Sequence, residues 1–111
     1  MPREKADSLM LTGFRHYEAK ALLYLFNHGK AYSRDIEREM DLRQPEVSAS
    51  MSLFISKGWV EKKPIDKDGK GRPTMLYTLS KGKIAIIAEL KQKVTDDMKE
   101  KTQLFKELDT I

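Results

Sequence analysis

The chain has 111 residues, enough for one hydrophobic core and too few for two ordinary domains. It contains no cysteine, which excludes a disulfide framework and a thiolate metal site. Its apolar runs are far shorter than the roughly 20 residues of a membrane-spanning helix, and the N-terminus has no signal-peptide pattern. We therefore expect one compact, cytoplasmic domain without a membrane partner.

The positive charge is concentrated in one part of the chain. The formal net charge is +4, yet residues 1–42 have no net charge and residues 84–111 have a net charge of −1. Residues 43–83 contain nine basic and four acidic side chains, a net charge of +5. Randomly scattered surface charge is the alternative, but a localised excess favours a polyanionic partner.

The sequence pattern of the first third of the chain predicts an arm followed by a helix. Residues 1–12 are interpreted as an N-terminal arm, either poorly ordered or a short leading helix, with apolar residues 9–11 able to dock on the core or on a partner chain. Residues 15–27 show the apolar periodicity of an amphipathic helix, and Gly29 provides its stop.

A second and a third helix follow with a short break between them. Residues 31–32 predict a minimal strand, and Ser33 predicts the N-cap of a helix over 34–41. After about four residues, Pro45 suits the first turn of a helix over 45–56, because its missing N–H is not needed there. This spacing predicts a helix-turn-helix.

The helix over 45–56 has two different faces. Val47, Met51 and Phe54 fall on one side, and the opposite side is small and polar, as a helix in a DNA major groove requires. Leu53 lies near the edge of the polar face. An ordinary polar surface helix is the alternative interpretation. The candidates for DNA contact are Arg43, Gln44, Pro45, Glu46, Ser48, Ala49 and Ser52.

A hairpin follows this helix directly. Gly58 predicts a left-handed helix end, and strands are predicted over 59–63, with Trp59 covering the core, and over 74–79. The turn over 66–73 contains two glycines and several basic residues, in a loop that has no role in core packing. The alternative interpretation is a solvated hairpin in which two aspartates of the turn neutralise part of its positive charge. The candidates for DNA backbone or minor-groove contact are Lys62, Lys67, Lys70 and Arg72, and Lys63 adds a possible phosphate contact.

The last segment predicts one long helix. Ser80 is interpreted as the N-cap of this helix. Residues 81–108 would span about 40 Å, so the helix is too long to bury its whole apolar stripe against the rest of its own chain. The apolar positions step by three and four, as in a coiled coil, with an interruption at Lys101. We expect a two-fold homodimer formed by Ile84, Ile87, Leu90, Val94, Met98, Leu104, Phe105 and Leu108.

No pattern for catalysis or cofactor binding is present. The chain has none of the nucleophile, phosphate-loop or zinc-protease motifs, and we expect neither an enzyme nor a cofactor. His16 and His28 lack partners at metal-ligand spacing, so no metal site is predicted. Asp96, Asp97 and Glu100 are interpreted as a solvated acidic patch.

Short motifs in a fixed order connect the chain with a known superfamily. They are Tyr17-Glu18-Ala19, Ser33-Arg34-Asp35-Ile36, Gln44-Pro45-Glu46-Val47-Ser48, Gly58-Trp59-Val60-Glu61, Gly71-Arg72-Pro73 and Tyr77-Thr78-Leu79. In this order, over residues of about 12–80, they resemble the winged-helix domain of prokaryotic, especially archaeal, transcription regulators of the TrmB, MarR and ArsR-like kind. The resemblance implies a homodimer with its third helix in the major groove and its wing on the backbone or minor groove.

These observations predict an α+β, mainly α fold, a winged helix-turn-helix with a two-stranded wing. The expected divisions are an arm over 1–12, a DNA-binding domain over 13–80 and a C-terminal dimerisation helix over 81–111. The predicted function is a sequence-specific regulator of transcription, a repressor rather than an activator, that binds double-stranded DNA. No pattern identifies a small-molecule effector. The alternative is a protein-interaction module, which would need an apolar outer face on the third helix.

Overall fold

A computed structural model describes residues 4–65 and 74–111, which form five helices and a three-stranded antiparallel sheet. The strand order is β1-β3-β2, so the predicted minimal strand becomes an edge of the sheet and the wing is the hairpin β2–β3. The elements are α1 Lys5–Leu11, α2 His16–His28, β1 Lys30–Tyr32, α3 Ser33–Glu39, α4 Gln44–Ser56, β2 Val60–Ile65, β3 Thr74–Leu79 and α5 Lys83–Leu108.

The predicted fold class is confirmed, and the predicted helices and strands begin and end within two residues of the observed ones. Residues 5–11 form the short leading helix that was one of the two expectations for the arm, and Leu9 is buried in the core. Gly29 has a φ of +79° at the end of α2, as its role as a stop requires. The division into arm, domain and dimerisation helix stays a prediction.

The two predicted serine caps are wrong. Ser33 is the first residue of α3, and its hydroxyl donates to the Glu37 carboxylate at 2.9 Å. The hydroxyl of Ser80 donates instead to the carbonyl oxygen of Gly58 at 2.9 Å, and Gly82 is the residue before α5. A serine just before a helix is predicted to cap that helix, whereas the hydrogen-bond acceptor of the Ser80 hydroxyl lies 22 residues away in the sequence.

The core lies between α2, α3, α4 and the first half of α5. Its largest fully buried side chains come from these four helices, because each presents one apolar stripe inward. They are Leu22, Leu25, Ile36, Val47, Met51, Phe54 and Ile86. In the part of the chain that the structure describes, no helix is long and apolar enough to cross a membrane.

Three aromatic rings tie the third helix to the wing. Phe54 stacks on Trp59, with ring centroids 6.0 Å apart, and Phe14 meets both rings edge-on at 6.2 and 6.0 Å. Trp59 therefore covers the core, as predicted, and is only 3% exposed. Edge-to-face and offset aromatic pairs add about 0.5–1.5 kcal/mol to the burial of their area.

The turn of the helix-turn-helix is held from both sides. Asp41 adopts a φ of +54°, a left-handed conformation that a short polar side chain tolerates. The Tyr24 hydroxyl donates to the Glu39 carboxylate, and the Lys20 ammonium donates to the Met40 carbonyl oxygen at 3.2 Å. The Glu39 hydrogen bond, with burial, raises the pKa of Tyr24 to about 12. These contacts fix the end of α3 against α2.

Replacement of Phe54 by alanine tests the aromatic core. Because Phe54 is fully buried between two rings, Phe54→Ala should lower the free energy of unfolding by roughly 3–5 kcal/mol. Urea denaturation measures this change. Ser52→Ala on the exposed side of the same helix is the matched control and should stay within about 0.5 kcal/mol. Equal effects of both substitutions would contradict this account of the core.

Candidate DNA-binding surface

The outer face of α4 is small and polar. Glu46 is half-buried and the other six candidates of this region are exposed. Leu53, near the edge of this face, packs against the core, and the exposed Ile55 belongs to the last turn. The exposed candidates are Arg43, Gln44, Pro45, Ser48, Ala49 and Ser52. This half of the helix has no large apolar side chain that would hold it away from a groove.

The beginning of α4 is fixed by Glu46. Its carboxylate accepts a hydrogen bond from the backbone N–H of Arg43 at 2.8 Å, which satisfies a donor at the helix start. Negative charge in the first turn also suits the helix dipole, and Pro45 occupies the same turn without loss of a hydrogen bond. Glu46 thus has a structural role, whereas Arg43 and Gln44 stay exposed at the helix end.

The inner face of α4 sets the rotation of the helix. Val47, Ser50, Met51 and Phe54 are all fully buried, and the Ser50 hydroxyl donates to the Glu46 carbonyl oxygen at 2.8 Å, so its polar atom is satisfied within the helix. Because these four side chains are locked in the core, the polar candidates must lie on the opposite side.

The wing begins where α4 ends. Gly58 has a φ of +77°, which reverses the chain so that the Trp59 N–H donates to the Phe54 carbonyl oxygen at 3.0 Å. Lys62 and Lys63 on β2 are exposed and lie opposite Tyr77 and Leu76 of β3. Successive strand residues point to opposite sides of a sheet, so these two lysines place positive charge on both sides of the wing. The other wing candidates, Lys67, Lys70 and Arg72, lie outside the described residues.

A residue that the sequence analysis missed joins α5 to this surface. The Glu89 carboxylate accepts hydrogen bonds from the Trp59 indole N–H at 2.7 Å and from the Lys81 ammonium at 3.2 Å. The Lys57 ammonium lies 5.3 Å from the centre of the Trp59 ring. The Lys81 and Trp59 hydrogen bonds lower the pKa of Glu89. These contacts connect the end of α4, the end of the wing and α5. No sequence pattern predicts them, because the partners of Glu89 lie 8 and 30 residues away along the chain.

The predicted dimerisation residues occupy three environments on α5. Leu90 is buried in the chain's own core, together with Ile86, which the prediction did not include. Ile87 and Val94 are half-buried. The rest are exposed, namely Ile84 (87%), Met98 (64%), Leu104 (52%), Phe105 (70%) and Leu108 (57%).

The histidines and the acidic patch show no arrangement for metal binding. The His28 ring stacks on Tyr24 with centroids 4.0 Å apart, and His16 is exposed at the start of α2. Asp97 pairs with Lys93 at 3.2 Å. Across residues 4–65 and 74–111, no group of three or more histidine, aspartate or glutamate side chains could hold a metal ion.

The geometry defines a class of protein. A helix-turn-helix made of α3 and α4, followed at once by the antiparallel hairpin β2–β3 and packed on α2, is a winged helix-turn-helix. The chain belongs to the TrmB family, whose model is described as "Sugar-specific transcriptional regulator TrmB" and matches residues 9–81. No curated protein gives a significant match. The protein is therefore a member of a family of DNA-binding transcriptional regulators, as its resemblance implied.

Solved structures with this fold are also regulators. A possible transcriptional regulator from Methanosarcina mazei has a TM-score of 0.71 at 15% identity over 91% of this chain and 85% of that one. A MarR family regulator from Neisseria meningitidis has a TM-score of 0.56 at 21% identity over 95% and 78%. Overoxidized AbfR bound to DNA has a TM-score of 0.57 at 18% identity over 96% and 76%. At these identities the likeness shows the fold.

The Glu89 contact predicts a pH dependence of stability. A carboxyl group whose pKa is lowered on folding stabilises the folded state above its ordinary pKa, and this contribution is lost as the pH falls through the lowered value. Glu89→Gln should therefore lower the urea midpoint at pH 7, and the variant and the parent protein should converge as the pH falls through the lowered pKa. Trp59, the sole tryptophan, reports unfolding by fluorescence.

Glu100→Gln is the control for this experiment. It removes the same charge from an exposed site on the same helix. It should leave both the midpoint and the Trp59 emission unchanged at either pH. A difference between Glu89→Gln and the parent protein that is the same at pH 7 and near pH 3 would show that the carboxylate charge plays no part.

Proposed function

We propose that the protein is a sequence-specific DNA-binding regulator that inserts α4 into the major groove. The observation that carries this proposal is the exposed polar face of α4, from Arg43 to Ser52, on a helix whose rotation is fixed by its buried side. Side chains of these types suit base edges, since arginine pairs with guanine, glutamine with adenine and alanine with the thymine methyl group. A rigid helix presents them in one orientation.

The charge distribution supports contact with the DNA backbone. Residues 43–83, which include α4 and the wing, have a net charge of +5, more than the +4 of the whole chain. In this proposal Lys62, together with Lys67, Lys70 and Arg72 from the turn predicted over 66–73, contacts phosphates or a minor groove. The N–H groups at the start of α4 can add a phosphate contact without a side chain.

A homodimer is the second part of the proposal. The second half of α5 exposes four large apolar side chains, and Ile84 is exposed in its first half. Burial against a second copy removes this area from water. A two-fold dimer then reads two half-sites about 10 base pairs apart. We propose repression by occlusion of a promoter as its mode of action.

DNA binding is tested first by its dependence on charge. If the dimer neutralises roughly eight to ten phosphates, log K should fall with log salt at a slope of about −7 to −9. Arg43→Ala and Gln44→Ala should each weaken binding to a selected operator by roughly 5- to 150-fold, the loss of one base contact. Electrophoretic mobility shift with fragments selected from genomic DNA measures both quantities.

Lys106→Ala is the matched control for Arg43→Ala. It removes one exposed positive charge in the last turn of α5, away from the proposed surface, and should leave operator affinity nearly unchanged. If Arg43→Ala, Gln44→Ala and Arg72→Ala all bind nucleic acid like the parent protein, the alternative of a protein-interaction module gains support and the proposed α4 contact fails.

The dimer is tested by placing a charge in its proposed seam. Phe105 is 70% exposed, so Phe105→Glu should leave the monomer folded and shift sedimentation equilibrium toward the monomer. Gln103→Glu introduces the same carboxylate on the other side of α5 and should leave the assembly unchanged. Truncation before α5 is unsuitable because it removes Ile86 and Leu90 from the core. Identical molecular masses for the two variants would contradict the proposed seam.

A further inference from the structure

Six apolar residues form a stripe along one side of α5 that is spaced symmetrically about Asp96, with four of them exposed and Ile87 and Val94 half-buried, while the exposed Leu104 lies outside this spacing. Its members occur at intervals of 3, 7, 4, 7 and 3 residues, so the pattern is the same in both directions. The members are Ile84, Ile87, Val94, Met98, Phe105 and Leu108. Lys91 and Lys101 fill the two remaining positions of the three-four spacing and are also equally far from Asp96. In an isologous antiparallel pair each residue faces the residue equally far from the two-fold axis on the other side, so a symmetric stripe places apolar side chains against apolar side chains.

The first half of this stripe borders a groove. Between α1 and α5 lies an open cavity of about 500 Å³, lined by the apolar side chains of Leu9, Ile87, Leu90 and Val94 and by four polar or charged residues. A neighbouring cavity of about 310 Å³ extends it toward Phe26 and shares Leu9 and Ile87. The Lys93 ammonium donates to the Thr12 carbonyl oxygen at 3.1 Å and so links α5 to the residue that follows α1.

Among residues 4–65 and 74–111, the second half of the stripe has no such neighbour. Beyond Val94, α5 has no buried residue, and its large apolar side chains Met98, Leu104, Phe105 and Leu108 are all more than half exposed. The molecule is correspondingly elongated, with extents of 66 × 31 × 25 Å. A free helix segment of this kind is slender enough to enter a groove of another copy.

The two halves also differ in charge. Residues 83–94 contain three lysines and one glutamate, a net charge of +2, and Lys5 on α1 adds a further positive charge beside the groove. Residues 95–111 contain five acidic residues and three lysines, a net charge of −2. In an antiparallel pair of α5 helices, the positive half of each helix lies beside the negative half of the other. In a parallel pair, halves of the same charge lie side by side.

We propose that two copies pair through antiparallel α5 helices centred on Asp96, so that the second half of each α5 lies in the α1–α5 groove of the other copy. This inference rests on the homodimer proposed above and gives it an orientation. Ile84 then faces Leu108, Ile87 faces Phe105 and Val94 faces Met98 of the other copy. Lys91 and Lys101 meet in one layer, where their long stems carry the ammonium groups to solvent.

A parallel pair would leave the groove unfilled. The two first halves of α5 would face each other with α1 beside each of them, and Lys83 and Lys91 would approach the same residues of the second copy. The antiparallel pair instead places a slender segment next to a groove on both sides of the two-fold axis. The dipoles of antiparallel helices also attract one another.

Single cysteines distinguish the two orientations. The natural chain has no cysteine, so each introduced thiol is the only one. Ile84→Cys and Leu108→Cys change exposed residues at opposite ends of the stripe. Each purified variant should form little disulfide with itself, because its two thiols lie far apart in the antiparallel pair. After the two variants are mixed and have exchanged subunits, oxidation should yield a cross-linked dimer, seen on a non-reducing gel.

Gln103→Cys is the matched control, because residue 103 lies on the side of α5 away from the stripe. Thiols held together in a dimer have an effective concentration in the millimolar range, so the Ile84→Cys and Leu108→Cys mixture should cross-link roughly ten-fold faster than the Ile84→Cys and Gln103→Cys mixture. Disulfides form only where the Cα atoms approach within about 7 Å.

Each other outcome has a definite meaning. Self-cross-linking of both single variants without a mixed product would establish a parallel pair and overturn the antiparallel proposal. A dimer in sedimentation that forms no mixed cross-link would also overturn it, while the proposed homodimer would stand. A monomer at all concentrations for the unmodified protein would instead overturn the homodimer itself, which separates failure of the inference from failure of the proposed function.

Discussion

The burial of the inner face of α4 is the constraint on which the rest of the structure depends. Val47, Met51 and Phe54 are fully buried, and this fixes both the depth and the rotation of the helix. The polar side from Arg43 to Ser52 is exposed as a consequence. The Phe54 ring also stacks on the Trp59 ring, so the burial of Phe54 determines where the wing starts.

The role of α5 changes along its length. Its first half is a core element through Ile86 and Leu90, and Glu89 connects it to Trp59 at the junction of α4 and the wing. Its second half has no buried residue. The first half of α5 is therefore linked to the junction of α4 and the wing, whereas the second half is available for the dimer contact proposed above.

Features that depend on one chemical property of a residue are predictable from the sequence, whereas features that depend on a distant partner are not. Positive φ at Gly29 and Gly58 follows from the absence of a side chain, and the strand over residues 74–79 follows from alternation between turn signals. The Ser80 cap failed because its hydroxyl bonds the Gly58 carbonyl oxygen across the junction. Leu90 fitted the spacing of an intermolecular seam, yet it is buried within its own chain, because periodicity gives the apolar side of a helix and not the identity of its neighbour.

The sequence by itself determined the order of the elements, the winged helix-turn-helix class and the polar character of the α4 face, because each depends on periodicity and turn chemistry within a few residues. Only the tertiary structure decided which apolar side chains are shared between α5 and the core, and that Glu89 holds Trp59 and Lys81. It also decided that Glu46 holds the start of α4. Those outcomes depend on distances between elements, which packing sets and local patterns do not contain.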